Sequence, residues 1–182
     1  MYELYIIDKQ VLGGDTVINI FRVGEKKNIG LLILIIILIE GAGFLSGLLG
    51  MSNIRIYENL IKPSFAPPNW IFPIVWAILY FLMAISLYRI ILKGKQNNNI
   101  TKALILFFIQ LFLNLIWTTI FFRFNLYGLA FIEILLMLIF ILLTTFEFYR
   151  HDKIASFLMI PYIAWTSFAS VLNFVIWMLN EA

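Results

Sequence analysis

The sequence predicts an all-α membrane protein, a bundle of five transmembrane helices. Two observations carry that prediction. From residue 29 onward most of the chain falls into five apolar runs, each near the ~20 residues that cross a ~30 Å hydrocarbon core as a helix. The composition is 63% hydrophobic and only 13% charged, against roughly 45–50% and about 25% in soluble domains. So few charged side chains could not cover the remaining apolar surface in water. Helices are the expected element because each satisfies its own backbone hydrogen bonds inside lipid. The runs lack the alternation over ~10 residues that barrel strands show.

Residues 1–28 stand apart as a polar extension, and 29–182 form the transmembrane domain. The extension mixes charges, β-branched residues and a Gly13-Gly14 turn signal, and it lacks the basic start and short apolar stretch of a secretory signal. It reads as a tail or short hairpin. The runs cover about 29–50, 70–92, 103–124, 126–147 and 154–179. The link 51–69 is long and ends in KPSFAPPN, whose prolines forbid a continuous helix and stiffen an extended loop. KGKQNNNITK joins the second run to the third, and the short RFNL leaves only a tight turn between the third and fourth.

Lys and Arg set the orientation. Ten of the thirteen fall on the side that carries the N-terminus, and only Arg55, Lys62 and Arg123 fall on the other. The N-terminus is therefore expected in the cytoplasm, with the 51–69 loop and the C-terminus on the opposite face. Abundant Ile, Asn and Lys and the lack of a transit peptide point to a prokaryotic cell membrane.

Composition also excludes several chemistries. The net charge is +3, but the basic residues sit at the ends of apolar runs rather than in one patch, which argues against nucleic-acid binding. With no cysteine and a single histidine, His151, disulfides, a cysteine nucleophile and a multi-histidine metal centre are ruled out. No GxSxG, HExxH, P-loop or dinucleotide fingerprint occurs. No catalytic residue and no metal ligand is nominated.

Charged and polar groups inside the runs are the candidates for function, because they are costly in lipid. Glu40 lies in the first run and Glu133 in the fourth. Each either contacts a cation, proton or hydrogen-bonding ligand, or is a buried carboxyl bonded to a neighbouring helix. Beside Glu40, GAGFLSGLLG contains Gly43 and Gly47 in a GxxxG spacing, which permits close helix approach within the bundle or across a dimer. Gln110, Asn114, Trp117 and Phe121 share a face of the third run by their offsets of four, three and four. Their amides either point into a cavity or bond between helices. Trp76 and Tyr80 share a face of the second run, whose first residue, Trp70, suits an interfacial anchor. Pro161 is expected to kink the fifth run, where Trp165, Phe168 and Leu172 share its face and Asn173 adds another amide. An apolar cavity with a few placed polar groups suits a flat hydrophobic ligand.

Three stretches carry a resemblance. The first runs from Tyr57 through Lys62-Pro63, Pro67-Pro68, Trp70, Phe72 and Trp76 to Leu79-Tyr80. The second is Gln110-Leu-x-Leu-Asn114-x-x-Trp117 with Phe121-Phe122, and the third is Pro161-Tyr162-x-x-Trp165-x-x-Phe168-Ala169-x-x-Leu172-Asn173. In order and spacing, over about 37–175, they resemble the TspO/translocator protein family, also called peripheral-type benzodiazepine receptors. The resemblance implies a five-helix bundle, usually a homodimer, with a ligand pocket near its mouth closed by the loop between helices one and two. It implies porphyrins and haem precursors as ligands, sterols in animal members, and no covalent cofactor. Carried over by position, Tyr57, Pro67, Trp76, Gln110, Asn114, Trp117 and Trp165 would line the pocket, with Ser167 and Phe168 beside it.

Some positions depart from the family pattern. Ile56 stands where a tryptophan is usual, Glu133 where many relatives have aspartate, and Phe174 replaces the tyrosine of a sterol motif with no basic residue after it. The leading expectation is a tetrapyrrole-binding sensor, carrier or regulator. The alternatives are an enzyme degrading porphyrin in light and a transporter of small hydrophobic molecules.

Overall fold

The computed structural model describes residues 20–23, 27–50, 58–96 and 99–181. Most of the N-terminal extension, together with Arg55, Ile56 and Tyr57, lies outside the described residues. Five spans are long and apolar enough to cross a membrane. They are α1 (Ile29–Gly50), α2 (Ile71–Gly94), α3 (Thr101–Thr118) continued by a π-helical turn (Thr119–Arg123), α4 (Tyr127–His151), and a fifth span made of α5 (Lys153–Leu158) and α6 (Ile160–Asn180). The five-helix bundle expected from the apolar runs is the observed fold.

Local chemistry explains where the helices begin and break. Asn28 caps α1, its Oδ1 accepting from the Leu31 amide at 2.9 Å, as a short polar side chain before a helix does. Asp152 caps α5 in the same way, accepting from the Ala155 amide at 2.8 Å. The fifth span is interrupted at Met159, two residues before Pro161, which stands at the start of α6. Proline has no N–H to continue the ladder and its ring crowds the preceding turn, so the break falls just before it. Between α3 and α4 the chain reverses through Asn125, whose φ of 57° is a left-handed conformation that asparagine tolerates.

The spans form a ring. α1 packs on α2, α2 on α5, α5 and α6 on α4, α4 on α3, and α3 returns to α1. Inside the ring Met83, Tyr88, Phe107, Met137, Phe148 and Tyr162 are almost completely buried. The outer surface is apolar: Phe44, Ile132 and Phe146 are each more than 60% exposed. Such a surface needs lipid rather than water as its solvent.

One end of the bundle is closed by polar contacts. Arg89 of α2 makes a two-point ion pair with Asp152, Nε to Oδ1 at 3.0 Å and an Nη to Oδ2 at 2.9 Å. Its other Nη donates to the carbonyls of Ile20 and Arg22 at 2.6 and 3.1 Å. The Tyr88 hydroxyl donates to the Phe21 carbonyl at 3.1 Å, and Val23 is 2% exposed. Residues 20–23 therefore pack onto the N-terminal-side end of the bundle. At the same end Glu147 faces Lys102, Arg150 and His151 at 3.0, 3.3 and 3.6 Å.

At the opposite end the proline-rich loop lies across α6. Asn180 brackets Ile61, accepting from its amide at 3.0 Å and donating to its carbonyl at 2.9 Å. Phe65 meets Phe168 edge-on at 6.3 Å. Two turns, Ala66 to Pro63 and Ile71 to Pro68, each with a 3.0 Å hydrogen bond, lead the loop into α2.

Candidate functional site

A cavity of about 540 Å³ opens between α1, α2 and the C-terminal end of α3. Its walls follow from helical periodicity. On α1, Glu40, Gly43, Gly47 and Gly50 recur at offsets of three, four and three, one face of a helix. On α2, Pro73, Trp76, Ala77 and Tyr80 do the same, and Trp117, Thr118 and Phe122 close the third side. Phe44, Leu48 and Phe72 complete the apolar lining, and Glu58, Asn69 and Trp70 stand at the loop end. The size lies within the range typical of small-molecule pockets, ~300–1,000 Å³, and the lining is of the same apolar, aromatic kind.

The missing side chains of α1 make the space. A Cβ at Gly43 would clash with the edge of the Tyr80 ring, and one at Gly50 would lie 2.5 Å from Cγ2 of Thr118. These two glycines bring α1 against α2 and α3. Gly47 has nothing within 4 Å of such a Cβ, so it faces the open space. The GxxxG spacing thus does two jobs inside one protomer: Gly43 sets a close approach and Gly47 leaves room.

Behind the cavity wall runs a chain of polar contacts. The Tyr80 hydroxyl donates to Asn114 Oδ1 at 2.5 Å. Asn114 Nδ2 donates to the Tyr162 hydroxyl at 2.8 Å, which reaches Met137 Sδ at 3.5 Å. A second bridge lies nearer the loop end of the bundle: Trp117 Nε1 donates to Asn173 Oδ1 at 3.2 Å, and Asn173 Nδ2 donates to the Tyr127 carbonyl at 2.9 Å. Buried amides without partners would cost free energy, and these bonds tie α2, α3, α4 and α6 together.

The sequence-nominated residues divide into groups. Trp76, Trp117 and Glu40 line the cavity. Asn114 lies one residue behind it, buried, and Gln110 is deeper still, with Nε2 3.9 Å from Met83 Sδ and Oε1 without a partner among the described residues. Trp165 and Phe168 form a separate aromatic group with Phe72 and Phe65, with ring centroids 5.5–6.3 Å apart. Phe72 and Trp76 connect the two groups, Phe72 through Trp165 and Trp76 through Tyr162 at 6.1 Å. Pro67 is half-buried in the loop and Ser167 faces outward. Glu133 is buried in α4, and neither of its oxygens has a hydrogen-bond partner among the described residues. Tyr57 is outside the described residues. Thr118 and Phe122, four residues apart, also form wall, and they lie off the Gln110–Asn114–Trp117–Phe121 stripe, so periodicity on that stripe gives no signal for them.

Fold and cavity together define a class: a small five-span membrane protein with a tryptophan-lined cavity among its first three helices. The chain belongs to the TspO/MBR family, whose model matches residues 34–178. It is 44% identical over 124 residues to the tryptophan-rich protein TspO of Chlorobaculum tepidum, covering 68% of this chain and 78% of that one. It is 36% identical over 124 residues to the tryptophan-rich sensory protein of Cereibacter sphaeroides, covering 68% and 76%. It is 35% identical over 145 residues to the human translocator protein, covering 78% and 82%.

Proposed function

We propose that this protein binds flat hydrophobic ligands of the tetrapyrrole kind in the α1–α2–α3 cavity and acts as a sensor, carrier or regulator of their handling. The observation that carries the reading is the lining itself. Trp70, Trp76, Trp117, Tyr80 and Phe72 surround one space of about 540 Å³, and aromatic faces stack on conjugated rings. Family membership supports it, as do relatives whose names call them sensory and translocator proteins. The protein works as a homodimer in a cell membrane, with its N-terminus on the cytoplasmic side. The excess of Lys and Arg on that side supports the orientation.

The test is a titration of purified protein in non-ionic detergent with protoporphyrin and with its dimethyl ester, following tryptophan fluorescence in the dark. Saturable quenching by either, reduced at least tenfold in affinity by Trp76→Ala or Trp117→Ala, is the expected result. If neither compound quenches saturably, the reading fails.

A further inference from the structure

The cavity has an electrostatic character that its aromatic lining alone would not give. Glu40 is half-buried on the same helical face as Gly43, the residue that packs against the Tyr80 ring, and it lines the cavity between α1 and α2. It has no hydrogen-bond or ion-pair partner among the described residues. A second carboxylate, Glu58, stands at the loop end. No lysine, arginine or histidine lines the cavity among the described residues. An unpaired carboxylate in a low-dielectric setting gains most from a cation or a strong hydrogen-bond donor and repels another carboxylate. Trp76, Trp117 and Tyr80 elsewhere in the lining offer ring faces that also attract cations.

We propose that Glu40 sets the charge preference of this site: it takes planar aromatic ligands that carry a cationic or N–H-donating group and disfavours those that carry carboxylates. The inference rests on the cavity being the ligand site proposed above and adds which members of that ligand class it accepts. A ligand enters with its donor end toward Glu40 and its ring system among the tryptophans. Any acidic substituent must stay outside, where the second carboxylate, Glu58, also opposes it.

Three probes built on one macrocycle test this: protoporphyrin with its two free propionates, the neutral dimethyl ester, and a diamide bearing two protonated amines. Each is titrated by tryptophan quenching in the same non-ionic detergent at low salt. The cationic probe is expected to bind at least tenfold more tightly than the diacid, with the ester between them. Glu40→Gln, which keeps the shape of the side chain, is expected to bring the three within about threefold of one another while thermal stability stays unchanged. Glu58→Gln should narrow the order less, since that side chain is exposed. Equal binding of all three by the unaltered protein, or an order that Glu40→Gln leaves intact, overturns the inference and leaves the proposed function standing. Failure of all three to bind overturns both.

Discussion

Arg89 of α2 and Asp152, the capping residue of α5, form a two-point ion pair in which each side chain is only 5% exposed. The pair locks the second span to the fifth. Through its other Nη, Arg89 also holds the carbonyls of Ile20 and Arg22, so one guanidinium joins two spans and the segment that precedes the first. Removing one partner of a buried pair leaves an uncompensated charge, at a cost of about 3–5 kcal/mol. Arg89→Met is therefore expected to destabilise the protein by that order. Hydrogen exchange should show residues 20–23 losing protection at the same time. Asp152→Asn keeps a capping oxygen and should destabilise less. Equal melting temperatures for Arg89→Met and the unaltered protein would show that the pair does not hold the bundle.

Asn114 is expected to behave as a connector. It accepts from Tyr80 and donates to Tyr162, and interhelical hydrogen bonds in membranes contribute about 0.6–2 kcal/mol each. Asn114→Leu should lower stability by roughly 1–3 kcal/mol, since it leaves the Tyr80 hydroxyl unpaired and the Tyr162 hydroxyl with only Met137 Sδ as a partner. In a double-mutant cycle, Tyr80→Phe and Asn114→Leu should be non-additive. Additive losses in detergent unfolding would argue that the two act separately.

Gly43 and Gly47 make an internal comparison. At Gly43 an added Cβ would come within 2.6 Å of Cδ2 and 2.7 Å of Cζ of Tyr80, a ring held in place by its bond to Asn114. Overpacking of that kind costs about 1–3 kcal/mol, and Gly43→Ala should show it as a lower melting temperature. Gly47→Ala meets nothing within 4 Å and should leave stability unchanged or slightly raised, because alanine restricts the unfolded chain. Similar losses at both sites would mean that α1 packs differently from the arrangement described.

Glu133 is expected to lower stability where it stands. A buried polar group without a hydrogen-bond partner costs about 1–3 kcal/mol in proteins, and both its oxygens lack one among the described residues. Glu133→Leu, close in volume, should raise stability by about that much. A lower melting temperature would show that the carboxyl has a partner in the membrane-embedded protein.

Much of this architecture is legible in the sequence. Length and apolarity of the runs fix five helices because lipid offers backbone groups no other partner. The position of Pro161 places the break in the fifth span. The three long motifs identify the family, since their order and spacing recur over most of the chain. Helical periodicity also puts Trp76 with Tyr80 and Gln110 with Asn114 and Trp117 on common faces.

What periodicity leaves open is which neighbour a face meets. Gln110, Asn114 and Trp117 lie on one stripe, yet Gln110 and Asn114 are sealed in the core while Trp117 both bonds Asn173 and borders the cavity. The difference arises from the ring order of the spans. α1 packs beside α2 and against the end of α3, and Gly47 leaves space between them. Glu40 and Glu133 looked alike as single carboxyls in apolar runs. The tertiary structure gives one a cavity to face and buries the other without a hydrogen-bond partner among the described residues, because the position of a side chain along its helix sets its depth, while the packing of neighbouring helices sets its surroundings.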